Sequence, residues 1–251
     1  MIKKILVTGS TGFLGTNLIN AIHSDKKSIE VYDYNSSTPV EKIDEYTKDC
    51  DFVFNFAAVH RPKNIEEFEI VNGKFFRKII DGLERNQNDC PVLYTSSVQA
   101  NDDSPYGKSK VYGEKILKEH SEKCKSKGIV YRLTNTFGPY ARPNGHSVVA
   151  TFCNNIAKGL PIMINNPQHT MHLQYVGDVV TEFLEIMTKD IRRTYDYYEI
   201  PHSLIYDVSL QELADTIYNF EKILAKGESP SYNSEFQKKL LLTYMSYRRK
   251  E

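Results

Sequence analysis

Residues 104–110 read SPYGKSK and place a tyrosine and a lysine, Tyr106 and Lys110, four positions apart. On a helix, two residues at this spacing share a face, so the ammonium group would lie beside the phenol. A neighbouring positive charge favours phenolate, and we therefore expect the pKa of Tyr106 to fall toward neutral pH. Ser97 ends the preceding stretch CPVLYTSS and could donate a hydrogen bond to the same substrate oxygen. These residue types predict proton transfer at an alcohol oxygen, with ordinary helix surface as the alternative.

The stretch TGSTGFLG places Gly9, Gly12 and Gly15 at three-residue intervals, between a strand-like run and a helix-like one. In this position Gly9 would permit a tight turn, Gly12 the close approach of a pyrophosphate, and Gly15 close packing of helix on strand. The positive end of the helix favours the phosphates. The pattern therefore predicts a dinucleotide site, and a glycine-rich turn without a ligand is the alternative. Lys110 could then hold the ribose of a nicotinamide.

Two aspartates are candidates for contacts with the adenosine half of such a cofactor. Asp33 ends the second strand-like run and follows Gly15 by 18 residues. A carboxylate accepts hydrogen bonds from both ribose hydroxyls and repels a 2′-phosphate, so Asp33 favours NADH over NADPH. A solvated turn aspartate is the alternative reading of Asp33. Asp51 could reach the adenine, although a role in a helix-to-strand turn fits it equally well.

The elements that must position these residues alternate between strand-like and helix-like patterns. This alternation predicts an α/β fold of the Rossmann type, a doubly wound parallel sheet covered by helices on both faces. We expect residues 1–140 to form the cofactor-binding domain and residues 141–251 a smaller substrate-binding lobe interwoven with it. The short connection after the second strand suggests that the next strand of the sheet is missing or vestigial. Residues 161–165, PIMIN, are expected to form a short strand, and Ser209 with Glu212 a capping box.

The bulk composition excludes several classes of partner. Lysine plus arginine and aspartate plus glutamate number 32 each, so no general nucleic-acid or membrane binding is expected. The four cysteines form no C-x-x-C pair and no apolar stretch is long enough to span a bilayer, which favours a cytoplasmic protein with reduced thiols. His169 and His172 lack further ligands at suitable spacing, so no metal site is expected.

The motifs TGSTGFLG, NFAA, YTSS, SPYGKSK and RLTNTFGP together resemble the extended short-chain dehydrogenase/reductase family of sugar-nucleotide epimerases, dehydratases and reductases. The resemblance implies a catalytic set of Ser97, Tyr106 and Lys110, with Ser96 as a fallback hydroxyl in contact with substrate. It also implies a set of cofactor-binding residues, which are Gly9, Gly12, Phe13, Leu14 and Gly15 along the phosphates, Ala57 and Ala58 beside the riboses, and Tyr106 and Lys110 at the nicotinamide. Asn135 looks like the family's asparagine where the nicotinamide and substrate pockets meet.

A closer likeness connects AAVHRP, SSVQANDDSPYGKSK and RPNGHSVVATFCNNIAKG to the reductase half of CapF-type capsular polysaccharide enzymes. Those enzymes reduce the C4 ketone of a UDP-linked 2-acetamido-2,6-dideoxy-hexulose on the way to UDP-N-acetyl-L-fucosamine. They use NADPH and carry a basic residue where this sequence has Asp33, so the resemblance and the local residue point to different cofactors. They also continue into a metal-binding cupin domain that performs C3 epimerisation. We expect that domain, and that reaction, to be absent here.

Many relatives place a phosphate-binding arginine where this sequence has Met171. Another cation must then bind the diphosphate of the UDP-sugar, and the candidates are Arg61, Arg142 and His146. Reduction of a keto-sugar is the leading interpretation. An NAD-dependent 4-epimerase or dehydratase is the alternative, although Val98 and Gln99 after Ser97 cannot transfer protons as a dehydratase requires. A degenerate nucleotide-binding module without catalysis is the third. Relatives suggest a homodimer that forms through residues 66–80 and the helix of Tyr106.

Overall fold

The computed structural model describes residues 4–24, 29–60, 62, 64–145, 147–190 and 194–248, and these residues form two compact units. The first unit contains the described residues up to Leu133 and returns with Glu182–Ile200. The second contains Thr134–Thr181 and the described residues from Pro201 onward. The boundary expected after residue 140 therefore differs from this division, because residues 182–200 supply a strand to the first sheet. Within the described residues, every helix is too short or too polar to cross a bilayer.

The first unit is built on a six-stranded sheet in which all neighbouring strands are parallel. Its strands are β1 (Lys4–Thr8), β2 (Glu30–Tyr34), β3 (Phe52–Asn55), β4 (Val92–Ser97), β5 (Gly128–Leu133) and β8 (Tyr195–Tyr198), in the spatial order β2-β1-β3-β4-β5-β8. Every residue of β3 and β4 is buried, as expected for central strands covered on both faces. The Rossmann-type parallel sheet predicted from the sequence is confirmed.

Helices connect the parallel strands, as crossovers between such strands require. They are α1 (Phe13–Ser24), α2 (Lys42–Tyr46), α3 (Phe76–Arg85) and α4 (Pro105–Cys124). A π-helical segment, Phe68–Phe75, runs directly into α3. After α2 the chain returns to a place beside β1, so the described residues hold no strand on the outer side of β2. The missing strand inferred from the short connection is thus consistent with the sheet order, and β8 supplies the sixth strand at the opposite edge.

The second unit is built on a small mixed sheet with the order β6-β7-β9. Its elements are β6 (Asn135–Phe137), α5 (Val148–Ala157), β7 (Thr170–Tyr175), β9 (Ile205–Ser209), α7 (Leu210–Leu224) and α8 (Glu235–Arg248), while α6 (Val176–Thr188) begins here and ends in the first unit. The strand predicted at residues 161–165 is wrong, since this segment is irregular. Pro161 has no N–H to donate, and Met163 is 80% exposed, so the segment pairs with no strand.

The start of α7 carries the capping box predicted from its sequence. The Ser209 hydroxyl accepts a hydrogen bond from the backbone N–H of Glu212 at 3.1 Å, and the Glu212 carboxylate accepts one from the Ser209 N–H at 2.9 Å. We expect Ser209→Ala to lower the free energy of unfolding by about 1 kcal/mol, because it breaks the reciprocal pair of hydrogen bonds that satisfies two N–H groups at the helix start. Urea unfolding measures this difference. Ser203→Ala, at an exposed serine outside any cap, should change stability little, and equal effects of both variants would contradict the assignment.

Candidate active site

The loop between β1 and α1 has the geometry of a phosphate cradle. Gly9 has a φ of 68°, and a Cβ atom there would lie 2.8 Å from the backbone nitrogen of Ala57. A Cβ atom on Gly15 would clash with the carbonyl oxygen of Gly9. Only glycine fits these two positions, because the loop folds back on itself before α1 begins at Phe13. The first N–H groups of α1 have no partner within the helix and, with its dipole, they favour an anion.

Ser10 gives a second sign that this loop holds a polar ligand. It is buried, and its hydroxyl has no hydrogen-bond partner among the described residues. A buried hydroxyl without a partner is unfavourable, and a phosphate oxygen would accept its hydrogen bond. The loop thus fits the dinucleotide predicted for it. Gly12 is exposed and Phe13 and Leu14 are half-buried around the loop, where their predicted cofactor contacts remain predictions.

Two further predicted cofactor residues, Ala57 and Ala58, follow β3 at the same edge of the sheet. The Ala57 N–H donates to the Thr8 hydroxyl at 3.3 Å, and this bond fixes the start of the connection beside Gly9. Ala58 is exposed. Their places agree with the predicted contacts to the riboses, which are not tested.

The two candidate aspartates lie at opposite ends of the parallel strands. Asp33 is exposed near the carboxyl end of β2, the edge that also carries the glycine loop. Asp51 precedes β3, and its carboxylate accepts a hydrogen bond from the Lys4 N–H at 2.9 Å at the amino end of β1. The adenine contact proposed for Asp51 is therefore wrong, because cofactors bind at the carboxyl edge of such sheets. Its other interpretation, a helix-to-strand turn, fits the structure.

Local sequence places Tyr106 in the first turn of α4. The Ser104 hydroxyl caps the helix by accepting a hydrogen bond from the Gly107 N–H at 3.0 Å, and Pro105 occupies the first helical turn, where its missing N–H is harmless. The nitrogen of Lys110 lies 5.6 Å from the centroid of the Tyr106 ring and donates to the carbonyl oxygen of Thr95 at 2.9 Å. The ammonium thus lies beside the phenol, as the four-residue spacing predicts.

Burial dominates the ionisation of both groups. It raises the pKa of Tyr106 to about 12, although a side-chain hydrogen bond with Ser97 acts in the opposite direction. It lowers the pKa of Lys110 from its ordinary value of 10.5 to about 8, against the attraction of Glu114. The expected fall in the pKa of Tyr106 is therefore wrong for this structure. A phenol with this pKa is protonated at neutral pH, the form in which it could donate a proton.

The two serines at the end of β4 have different partners. Ser97 accepts a hydrogen bond from the Gln99 N–H at 3.1 Å and shares one with Tyr106. Ser96 instead donates to the Glu114 carboxylate at 2.5 Å and is buried. Successive residues of a strand point to opposite faces, which explains the separation. The fallback role predicted for Ser96 at the substrate is wrong, because its hydroxyl is committed to Glu114.

Several neighbours of Tyr106 were not predicted as site residues. The ring of His60 packs edge-on to Tyr106 with centroids 4.4 Å apart, and the Phe68 ring lies 5.9 Å away. The buried Asn72 amide donates to the Ser109 hydroxyl at 2.9 Å, and that hydroxyl donates to the Tyr106 carbonyl oxygen at 2.7 Å. Asn72 also exchanges two hydrogen bonds with the backbone of Val59, so it joins the loop after β3 to α4. For Asn72, the signal available in the sequence was a polar residue in the middle of a helix face that is otherwise apolar.

The other predicted substrate residues remain predictions. Arg61 and His146 lie outside the described residues. Asn135 opens β6 and Arg142 follows it in the second unit, and both are exposed. For metals, the described residues include one cluster of suitable ligand types, formed by Glu84, His120 and Cys124. Its carboxylate already pairs with the ammonium of Lys123 at 2.5 Å. His172 is one of the two histidines that were not expected to bind a metal, and its Nδ1 lies 2.6 Å from Asp207 Oδ1.

Comparison with known proteins identifies the family of the chain. The model of the NAD dependent epimerase/dehydratase family matches residues 5–200. The chain is 35% identical, over 97% of its length, to UDP-2-acetamido-2,6-beta-L-arabino-hexul-4-ose reductase of Pseudomonas aeruginosa, and it spans 64% of that protein. The crystal structure of the capsular polysaccharide assembling protein CapF from Staphylococcus aureus matches with a TM-score of 0.84 and 33% identity, covering 97% of this chain and 65% of CapF.

A more distant structure shares the fold. UDP-glucose 4-epimerase of Thermus thermophilus, solved with NAD, matches with a TM-score of 0.77 at 18% identity, covering 99% of this chain and 100% of the epimerase. The chain therefore spans a little under two thirds of the length of the two more similar proteins, and the whole length of this one.

The buried ammonium of Lys110 is expected to lower the stability of the folded chain. Lys110 is charged in both folded and unfolded chains below pH 8, so its depressed pKa is a penalty there, on the order of 3 kcal/mol. The penalty fades between pH 8 and 10.5, where the folded chain loses the proton first. We expect Lys110→Met to stabilise the fold by roughly 2 kcal/mol at pH 7 and by less near pH 10.

Urea unfolding at both pH values measures this effect. Lys108→Met, at an exposed lysine of the same helix, is the matched control and should show no such pH dependence. A Lys110→Met protein less stable than its parent at neutral pH would contradict the penalty.

Proposed function

Because the chain belongs to the NAD dependent epimerase/dehydratase family, we propose that it reduces the C4 ketone of a UDP-linked 2-acetamido-2,6-dideoxy-hexulose. The product would serve capsule or O-antigen sugar biosynthesis of the UDP-N-acetyl-L-fucosamine type. The observation that carries this proposal is the arrangement of three side chains: Tyr106 is hydrogen-bonded to Ser97, and the buried ammonium of Lys110 lies 5.6 Å from its ring. The similarity to a hexul-4-ose reductase and to CapF supports the substrate class.

The site residues divide the work of reduction between them. A bound NAD(P)H supplies the hydride that reaches C4. Tyr106 gives its proton to the C4 oxygen, so the ketone gains one hydride on carbon and one proton on oxygen and becomes an alcohol. Ser97 donates a hydrogen bond to that oxygen and holds the carbonyl in place. Lys110 supplies positive charge beside the tyrosinate that proton donation leaves behind.

The protonated form of Tyr106 is the one that ketone reduction starts from. An epimerase must first remove a proton from its substrate's hydroxyl, which requires a phenolate. A phenol with a pKa of about 12 is almost entirely protonated at neutral pH, the form that reduction requires. Dehydration is disfavoured by Val98 and Gln99, which follow Ser97 and offer no acid–base pair. The presence of all three catalytic side chains argues against a degenerate binding module.

A homodimer through α4 and the π-helical segment is part of this proposal. Four apolar side chains in or just before these elements are more than 40% exposed, namely Ile65, Ile70, Val111 and Tyr112. Such a patch would be covered by the same face of a second chain. The diphosphate of the substrate would be bound by Arg61, Arg142 or His146, and Asn135 would face the reacting sugar.

The cofactor preference follows from Asp33. We expect NADH to bind at least as tightly as NADPH, because the exposed carboxylate at the end of β2 accepts ribose hydroxyls and repels a 2′-phosphate. Fluorescence titration with both cofactors measures the preference. Asp33→Asn should shift it toward NADPH by roughly tenfold, since a like charge at a desolvated site costs about 1–2 kcal/mol or more. A tenfold preference of the parent for NADPH would refute the role of Asp33 and favour Asn35 or Ser36 as phosphate ligands.

The catalytic assignment is tested by Tyr106→Phe. This variant removes one oxygen and leaves the ring contacts with His60 and Phe68. We expect the rate of ketone reduction to fall by roughly 10²–10⁴ with cofactor affinity nearly unchanged, because only the proton donor is lost.

Matched variants separate the remaining roles. Lys110→Met should slow the reaction and weaken cofactor binding as well. Ser97→Ala should reduce the rate without rescue by Ser96, whose hydroxyl is held by Glu114. Tyr112→Phe changes an exposed tyrosine on the same helix and should leave the rate unchanged. Near-parental turnover by Tyr106→Phe would refute the proposed proton donor.

A further inference from the structure

A buried carboxylate, Glu114, accepts four hydrogen bonds in the first unit. Its side chain is 4% exposed. Its oxygens accept from Ser96 Oγ at 2.5 Å, from Arg132 Nε at 2.9 Å and Nη2 at 2.7 Å, and from the Tyr197 hydroxyl at 2.9 Å. Burial acts to raise the pKa of Glu114, but the bonds from Arg132, Ser96 and Tyr197 outweigh it and hold the pKa below its ordinary value. The carboxylate is therefore charged at neutral pH.

These bonds fix the end of β4 from both sides of Ser97. Ser96 precedes it and stands opposite Arg132 in the pairing of β4 with β5. Arg132 Nη1 donates to the Asn101 side chain at 2.6 Å, and Asn101 ends the short 3₁₀ turn that follows Ser97. The guanidinium also lies 4.9 Å from the centroid of the Tyr197 ring, which limits its freedom. The position of Ser97 thus depends on residues of three strands that meet at Glu114.

Glu114 also lies one helical turn after Lys110, on the same face of α4. Its charge raises the pKa of Lys110 and so opposes the effect of burial. β4 contributes the Thr95 carbonyl oxygen and the Tyr94 ring, 5.2 Å from the lysine nitrogen. On the helices packed against α4, Lys74 pairs with Glu69, Arg77 with Glu119, and Glu84 with His120 and Lys123. Among the described residues, Glu114 is the acid whose charge acts on Lys110.

We propose that Glu114, held by Arg132 and Tyr197, is a positioning residue that fixes Ser97 at the end of β4 and keeps the Lys110 ammonium charged beside Tyr106. The catalytic consequence rests on the proposed function. The effect on Lys110 is a property of the folded chain and needs no substrate. Neither Glu114 nor Arg132 touches the reacting atoms, so both act through the side chains that do.

The direct test is the titration of Lys110 by NMR with ¹⁵N-labelled lysine, its resonance assigned as the one that Lys110→Met lacks. We expect the midpoint to fall by about one pH unit or more in Glu114→Gln, because the neutral amide no longer stabilises the ammonium. Glu119→Gln is the matched control. It removes an acid of the same helix that is also ion-paired, with Arg77, but half-exposed, and it should leave the midpoint unchanged. An unchanged midpoint in Glu114→Gln would overturn the proposal.

A second variant keeps the proposal testable if Glu114→Gln does not fold. Glu114→Gln leaves the Arg132 guanidinium partly buried without its carboxylate, which is destabilising. The double variant Glu114→Gln/Arg132→Gln removes both charges and lets two amides pair. The Lys110 midpoint should still fall, by less than in the single variant because the Arg132 charge is also lost, whereas a parental midpoint in this folded double variant would overturn the proposal.

An activity profile separates this proposal from the proposed function. In the parent, kcat/KM for ketone reduction should fall above about pH 8 as Lys110 loses its proton. In Glu114→Gln this alkaline fall in kcat/KM should move to lower pH by the same interval as the NMR midpoint. A shifted midpoint in an enzyme without reductase activity would reject the proposed function and leave the effect on Lys110 intact. An active parent whose Glu114→Gln variant shifts neither measurement would reject the role of Glu114 alone.

Discussion

The burial of one ammonium group, that of Lys110, is the constraint on which the site depends. Lys110 is buried, and its nitrogen donates a hydrogen bond to the backbone oxygen of Thr95 at the end of β4. This contact ties α4 to the edge of the sheet where Ser97 and the glycine loop also lie. A charge in such a place is unfavourable for folding. Glu114 offsets part of this cost, and the proposed reaction would use the positive charge beside Tyr106.

Two polar clusters hold the helix in that position. On one side, Asn72 connects the backbone of Val59 to Ser109 and so to the carbonyl oxygen of Tyr106. On the other, Glu114 gathers donors from β4, β5 and β8. Asn72 and Glu114, at the centres of the two clusters, are buried and hydrogen-bonded, which makes the clusters rigid supports. The phenol of Tyr106 is thereby carried by a helix that is held on two sides.

Much of this could be predicted from sequence, because strand–helix alternation and the spacing of the glycines, Tyr106 and Lys110 are local patterns. The errors arose where a role depends on surroundings. Asp51 has a suitable residue type but lies at the amino end of β3, and strand direction alone could have excluded it. The alternation of side chains along β4 could likewise have separated Ser96 from Ser97. The raised pKa of Tyr106 could not be predicted, since burial is set by the whole fold. Glu114 follows Lys110 at the helical interval, yet only the structure shows its partners in β5 and β8.

Hydride transfer from a nicotinamide deuterated at the transferring position is the measurement that bears most directly on the proposed reductase. The chain would be mixed with this cofactor and a UDP-linked 4-keto sugar, and the sugar product analysed by mass spectrometry and NMR. Reduction predicts an alcohol that carries deuterium at C4, with one cofactor oxidised for each sugar formed. An alcohol without deuterium at C4, or a ketone that stays unreduced while the cofactor pool is unchanged, would contradict reduction.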